Sequence, residues 1–285
     1  MLAQKYLTRI FQLLTLFALV FGNILLLFGC MSVINDESGE NMIFIPEGSF
    51  TMGFEIDNSN EWGDMDEEPM HRVILSSYWI DKYEVTSSNF STFLNKNKNE
   101  AHRFIEITPA VTIELKNNMY RPRKGLENFP VNRVSWFGAN AYCRWKGKRL
   151  PTEAEWEKAA CWDENNQRKT IFPWGNESPD LLHANLLESY IWNCSEIGAY
   201  PNGKSHYGCH QMIGDVWEWT STEFSGYPGF KTGFSEYNDK WFSNQKVLRG
   251  GSFGTPSISI RGSYRNFFRL DERWMFSGFR CAGYI

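Results

Sequence analysis

The pattern of apolar and polar positions divides the chain near its start. Residues 10–28 are almost continuously apolar and follow Lys5 and Arg9, the layout of a secretory n-region and h-region. Leu27-Phe28-Gly29-Cys30 closes that run, and residues 31–41 are polar and acidic. From Met42 onward the pattern is that of a folded domain. Residues 42–53, MIFIPEGSFTMG, predict strand, Pro-Glu-Gly turn and strand, and residues 73–80 predict a further strand. Thr86-Ser87-Ser88-Asn89 offers cap residues ahead of a helix with Phe90, Phe93 and Leu94 on one face. Residues 96–125 are polar and charged and read as an exposed excursion. A second helix carries Ala139, Ala141, Tyr142 and Trp145 and stops at Gly147. A third opens at Thr152, with Glu155 three positions on as a capping box. The Glu153 and Glu155 carboxylates then belong to a helix start, where the dipole favours negative charge, rather than to an acid–base pair. Beyond Trp162 the helical period fades into short runs such as Val216-Trp217-Glu218-Trp219 and Val247-Leu248-Arg249.

Composition sharpens this picture. Sixteen per cent aromatic residues, with 12 Trp and 23 Gly, favour a loop-rich α+β globule pinned by large rings. A net charge of −4 gives no basic face for nucleic acid, which is not expected as a partner. A cysteine ending the apolar run resembles a lipobox, so Cys30 is expected to carry lipid. The predicted organisation is a lipoprotein signal peptide at 1–29, a tether at 30–41 and one domain at 42–285. An uncleaved membrane anchor is the alternative. Either way the domain is expected outside the cytoplasm, lipid-anchored on the outer surface or on the periplasmic face, as a monomer. Export makes Cys143, Cys161, Cys194, Cys209 and Cys281 disulfide candidates. His71, His102, His183, His206 and His210 are scattered and read as surface or structural residues.

Residues 249–282, RGGSFGTPSISIRGSYRNFFRLDERWMFSGFRCA, fit neither a helix period nor a long alternation. Thr255, Tyr264, Asn266, Phe267, Phe268, Trp274, Met275 and Phe276 have paratope character, rigid rings beside adaptable hydrogen bonders. Exposed together they would form a partner-binding patch. Phe253, Ile258 and Ile260 are expected in the core. The run Trp274–Phe276 cannot all face inward from one strand, so at least one ring is expected outside.

Several motifs in one order carry a family resemblance. They are Ile45-Pro46-Glu47-Gly48, Asp81-Lys82-Tyr83-Glu84-Val85-Thr86, Pro130-Val131-Asn132-Arg133-Val134-Ser135-Trp136 and Gly147-Lys148-Arg149-Leu150-Pro151-Thr152-Glu153-Ala154-Glu155-Trp156-Glu157. Pro173-Trp174-Gly175, Gly214-Asp215-Val216-Trp217-Glu218-Trp219, Arg249-Gly250-Gly251-Ser252 and Gly278-Phe279-Arg280 follow. Together they resemble the formylglycine-generating enzyme (sulfatase-modifying factor) family. The resemblance implies an α+β, C-type lectin-like fold with short strands, helices and much irregular structure.

In the family's enzymes two cysteines after the Arg-Gly-Gly-Ser motif hold copper, and none stands between His210 and Arg280 here. The expectation is therefore a chain that is not an enzyme and holds no copper. The related iron-dependent sulfoxide synthases carry an extra histidine-bearing helical domain, not found in this sequence. A second branch, the variable proteins of diversity-generating retroelements, includes treponemal variable surface lipoproteins. It concentrates change between the same two motifs and keeps arginines at positions matching Arg261, Arg265 and Arg273. By that resemblance residues 253–276 form a diversified surface for a protein or glycan ligand, on a non-catalytic displayed lipoprotein. A copper- or iron-dependent oxidase and a structural envelope lipoprotein are the alternatives.

The family resemblance also implies a structural calcium held by the Gln211 side chain, the Gly214 and Val216 carbonyls and Glu218. Hydrogen-bonded turn roles for Asp215 and Glu218 are the alternative. It implies a Cys143–Cys281 disulfide, closing a loop of about 140 residues and contributing about 4–5 kcal/mol. Cys194 and Cys209 form a plausible second pair, leaving Cys161 over.

Overall fold

A computed structural model describes residues 34–35, 41–55, 65–231 and 242–285. The expected signal peptide and Cys30 lie outside the described residues.

Helices begin where the sequence supplies a capping oxygen. Thr86 Oγ1 accepts from Asn89 N ahead of α1 (Ser87–Lys96), and α2 (Ala101–Phe104) follows without a side-chain cap. Ser135 Oγ accepts from Gly138 N to start α3 (Trp136–Trp145). Thr152 and Glu155 form the predicted capping box of α4 (Glu153–Cys161). Each cap satisfies a backbone donor that the first helical turn leaves open.

The strands are short and fall into two larger sheets and smaller ribbons. The first sheet runs β1 (Ile34–Asn35), β2 (Asn41–Ile45), β5 (Tyr78–Asp81) and β14 (Ala282–Gly283), all pairs antiparallel. Between β2 and β5, the strands β3 (Gly48–Met52) and β4 (His71–Leu75) form an antiparallel ribbon. Further ribbons pair β6 (Ile113–Lys116) with β7 (Met119–Pro122) and β8 (Trp162–Asp163) with β9 (Arg168–Lys169). The second sheet contains β10 (Trp217–Glu223), β11 (Gln245–Arg249), β12 (Asn266–Arg269) and β13 (Ser277–Gly278), ordered β12-β11-β10-β13. Its β10–β13 pair is parallel and its other pairs are antiparallel.

The predicted strand at 73–80 is thus two strands in different sheets. Residues 96–125 are not the exposed excursion expected of them. They contribute α2, β6 and β7, and Ala101, Phe104, Ile105, Val111 and Ile113 are buried. The rings of Phe90, Phe93, Tyr142 and Phe279 meet at 5.4–5.8 Å between centroids, tying α1 and α3 to the C-terminal segment. Trp156 and Trp217 are core, 0% and 3% exposed. Gly250 sits at φ +96°, and a Cβ there would lie 2.6 Å from the Met212 carbonyl oxygen, so the chain leaving β11 needs glycine.

Candidate functional site

The C-terminal segment is clamped from beneath by arginines whose partners come from distant elements. Arg249, at the end of β11, is fully buried and donates to Glu153 Oε1 (2.8 Å), to Glu157 and to the Gly262 carbonyl (2.6 Å). Arg265 grips Glu153 through both carboxylate oxygens, at 2.7 and 3.1 Å, and donates to the Asp66 carbonyl at 2.8 Å. Arg261 makes a two-point contact with Glu67, its Nε at 2.9 Å. The planar guanidinium suits such sites because two parallel donors match a carboxylate. Burial by itself would raise the Glu157 carboxyl, but Lys169 and Arg249 bring it down to about 2. Burial outweighs Arg261 at Glu67, whose carboxyl is raised. Arg273 donates to the His102 carbonyl at 2.6 Å.

Above this frame stand the eight expected binding residues, all at least partly buried. Thr255 is a correction. It is buried, and its hydroxyl accepts from Ser252 N at 3.0 Å, serving the turn after β11. The other seven are half-buried. Phe267 stacks on Phe224 at 3.9 Å, and Trp274 contacts Phe268 and Phe276 at 4.9 and 4.6 Å. Tyr264 lies 5.8 Å from Trp217, Met275 packs beside Cys194, Val216 and Phe253, and Asn266 Oδ1 accepts from Phe267 N. Phe253 and Ile260 are buried as expected, but Ile258 is 59% exposed. Glu188 clamps Ser257 through its N and Oγ, fixing a single turn at Ser257–Ser259 that carries Ile258 into solvent.

The concavity at this segment lies elsewhere. A cleft of about 550 Å³ is lined by Phe137, Ser243, Asn244, Gln245, Arg269, Leu270 and Asp271, and none of the eight residues lines it. Pairing of Gln245 with Arg269 across β11 and β12 sets its floor. Trp136 N donates to the Leu270 carbonyl at 3.1 Å, bringing the start of α3 and Phe137 to its wall. Arg269 and Asp271 meet at 3.4 Å with both side chains largely exposed, so the pair is open to exchange with a ligand. Sequence reasoning passed over these residues. The one local signal was a polar Arg-Leu-Asp-Glu break inside an aromatic run.

The expected calcium set does not assemble. Glu218, its one charge, accepts from Arg280 Nε and Nη2 at 2.7 Å each and from Trp156 Nε1 at 2.9 Å. Gln211 donates to Asp215 Oδ2 at 2.8 Å and accepts from Gly198 N. Gly214 and Val216 lie in the same buried turn, where Gly214 N donates to the Gly250 carbonyl. A guanidinium thus stands against the carboxylate that a cation would need. Among the described residues no group of three or more His, Cys, Asp or Glu is placed to hold a metal ion.

Two neighbouring carboxyls are electrostatically unusual. Asp215 is fully buried, and desolvation raises it to about 6 although Asn185, Ser195 and Gln211 donate to it. Glu84, 3.9 Å from Arg280, has no hydrogen-bond partner on either oxygen among the described residues, and burial raises it well above the usual range.

The five cysteines among the described residues are buried. Cys143 and Cys281, implied as a disulfide, lie side by side as thiols, and burial followed by the Cys143 contact pushes Cys281 well up. Burial likewise raises Cys161 to about 12 and Cys209 to about 11. Thiols so placed are poor nucleophiles, because the thiolate is the reactive form.

Residues 29–285 match the family described as sulfatase-modifying factor enzyme 1-like domain. A hercynine oxygenase from Mycolicibacterium smegmatis is 36% identical over 263 residues, which cover 84% of this chain and 60% of the relative. The chain therefore spans little more than half of that protein. The formylglycine-generating enzyme of Mus musculus is 30% identical, over 85% of this chain and 74% of the relative. Among solved structures, Treponema denticola variable protein 1 superimposes with a TM-score of 0.60 at 19% identity, covering 86% of this chain and 95% of that one, a likeness of fold. The α+β, C-type lectin-like fold agrees with the expectation. The expectation of a chain without catalytic activity does not survive, because the relatives include an oxygenase and a formylglycine-generating enzyme. The cofactor expectation of a structural calcium without copper falls with it: such names denote oxidative chemistry, and the Glu218 carboxylate is engaged by Arg280.

Proposed function

The chain belongs to the sulfatase-modifying factor enzyme 1-like domain family, and from that membership we propose that it is an exported oxidase-class catalyst holding a small zwitterionic substrate beside Arg269 and Asp271. The observation that carries this reading is the 36% identity to a hercynine oxygenase across 84% of the chain. The cleft supports it in kind. Its volume, about 550 Å³, lies in the range of small-molecule sites. The Arg269 guanidinium offers a two-point grip to a substrate carboxylate, and Asp271 faces a cationic group. Phe137 and Leu270 supply the apolar wall that excludes water on one side. Among the described residues no group of three or more His, Cys, Asp or Glu is placed to hold a metal ion, and no chemical step is assigned to one. The roles derived for this chain are binding and orientation.

The test uses the full chain with hercynine or a cysteine-containing peptide, with Fe(II) or Cu(I) added in turn. Oxygen uptake and product mass are followed together. Uptake coupled to an oxidised product is the expected result, with Arg269→Ala raising KM roughly tenfold and leaving kcat nearly unchanged. No uptake under any combination overturns the reading.

The proposal also takes Cys30 as the point of lipid attachment, on the strength of the apolar run that precedes it. Metabolic labelling with a radioactive fatty acid tests this: label is expected on the wild type and absent from Cys30→Ser.

A further inference from the structure

A second cleft, of about 630 Å³, opens between the 168–175 arm and the 201–206 turn, and none of the roles above uses it. Arg168, Lys204, His206 and Asn202 stand around it, with Asp163 as its one carboxylate. The carboxylate is already engaged. Asp163 accepts from Asn166 N at 3.1 Å and Asn166 Nδ2 at 2.7 Å, and it lies 3.4 Å from His206 Nδ1 and 3.7 Å from Arg168 Nε. Arg168 and Lys204 against Asp163 leave a surplus of one positive charge, or two when His206 is protonated. The chain as a whole carries −4, so this cleft is a local reversal of sign. A concave site of one sign concentrates ions of the other.

Part of the remaining wall, beside Thr170 and Ser205, is apolar and fixed. Trp174 stacks against Phe172 at 5.2 Å and 4° and against His183 at 4.9 Å and 27°, and its Nε1 donates to the Glu177 carbonyl at 3.0 Å. Pro173 and Pro201 flank it. The arm itself is held to the C-terminal segment, because Gly262 N donates to the Ile171 carbonyl at 2.8 Å.

We propose that this cleft binds a small phosphate monoester, the phosphate facing Arg168, Lys204 and His206 and the organic group lying against Trp174 and the two prolines. A guanidinium fork, an ammonium and an imidazole together suit a dianion better than a singly charged carboxylate. The apolar wall distinguishes an ester from free phosphate. Site and ligand are independent of the Arg269 cleft.

The test is calorimetric titration of the full chain with 4-nitrophenyl phosphate, inorganic phosphate and 4-nitrophenol. One saturable site for the ester is expected, with each fragment weaker by roughly tenfold or more. The affinity for the ester should fall as salt rises. Arg168→Glu with Lys204→Glu should abolish saturable binding with thermal stability unchanged, both side chains being exposed. Trp174→Leu should weaken the ester toward the affinity of inorganic phosphate. Absence of saturable ester binding overturns the proposal. So does binding that persists in the charge-reversed variant, or 4-nitrophenol binding as tightly as the ester.

Discussion

Arg280 and Glu218 face each other through two charge-assisted hydrogen bonds of 2.7 Å, both side chains sealed from solvent. The pair joins the segment between β13 and β14 to β10, and Arg280 also donates to the carbonyls of Asp81, Lys82 and His210. Removing one partner strands a buried charge. Glu218→Ala is expected to cost about 3–5 kcal/mol in urea unfolding. Replacing both residues by apolar side chains of similar volume should recover part of that loss. A double change no more stable than the single one would show that the carbonyl contacts, not the carboxylate, set the cost.

Asp215 makes stability depend on pH in the opposite sense to a salt-bridged carboxylate. Its carboxyl is raised from 3.8 to about 6, so between those values the folded state holds a proton that the unfolded chain has released. Stability therefore falls as pH rises through that window, by about 3 kcal/mol for a shift of this size. Glu157, lowered to about 2, acts the other way, its contribution being lost as pH falls below 4.5 toward 2. Unfolding free energies measured from pH 4 to 7 should slope downward through Asp215, and Asp215→Asn should reduce that slope, the remainder belonging to Glu84, whose carboxyl burial also raises. An unchanged slope in that variant would assign the effect to another group.

The ring cluster on the C-terminal segment is expected to behave as core. Phe267→Ala breaks the 3.9 Å stack with Phe224, and a loss of about 2 kcal/mol should follow in thermal unfolding. Trp274→Ser removes contacts to Phe268 and Phe276 and should cost a comparable amount. Melting temperatures matching the wild type would mean that these rings are displayed after all.

Trp192 offers a change in the other direction. It is 63% exposed and adopts φ +56°, a conformation costly for a side chain with a Cβ. Trp192→Gly is expected to raise stability by about 1 kcal/mol, the relief exceeding glycine's added chain entropy. Differential scanning calorimetry reads the sign directly, and a drop in melting temperature would indicate a packing role for the ring.

What was legible in the sequence was local chemistry. Thr86 and Thr152 announce helix starts because a cap acts within three residues of itself. Long-range partners were invisible. Glu218 looks like a cation ligand until Arg280, 62 positions away, is seen beside it. Ile258 looks like core until Glu188, 69 positions from Ser257, turns it outward. The 96–125 stretch hides its buried Phe104 and Val111 among charges, since their burial comes from packing and not from a period. The cleft at Arg269 arises from pairing β12 with β11, which no spacing along the chain encodes.

The arginine clamps fix distances along the chain as firmly as they fix residue types. Arg261 and Arg265 stand four positions apart and must reach Glu67 and Glu153 simultaneously. One residue inserted or deleted between them would pull a guanidinium off its carboxylate. A sequence grafted between Arg261 and Arg265 must therefore keep its length, with both arginines retained. For anyone using this domain as a scaffold, that stretch is a ruler with replaceable markings rather than an elastic loop.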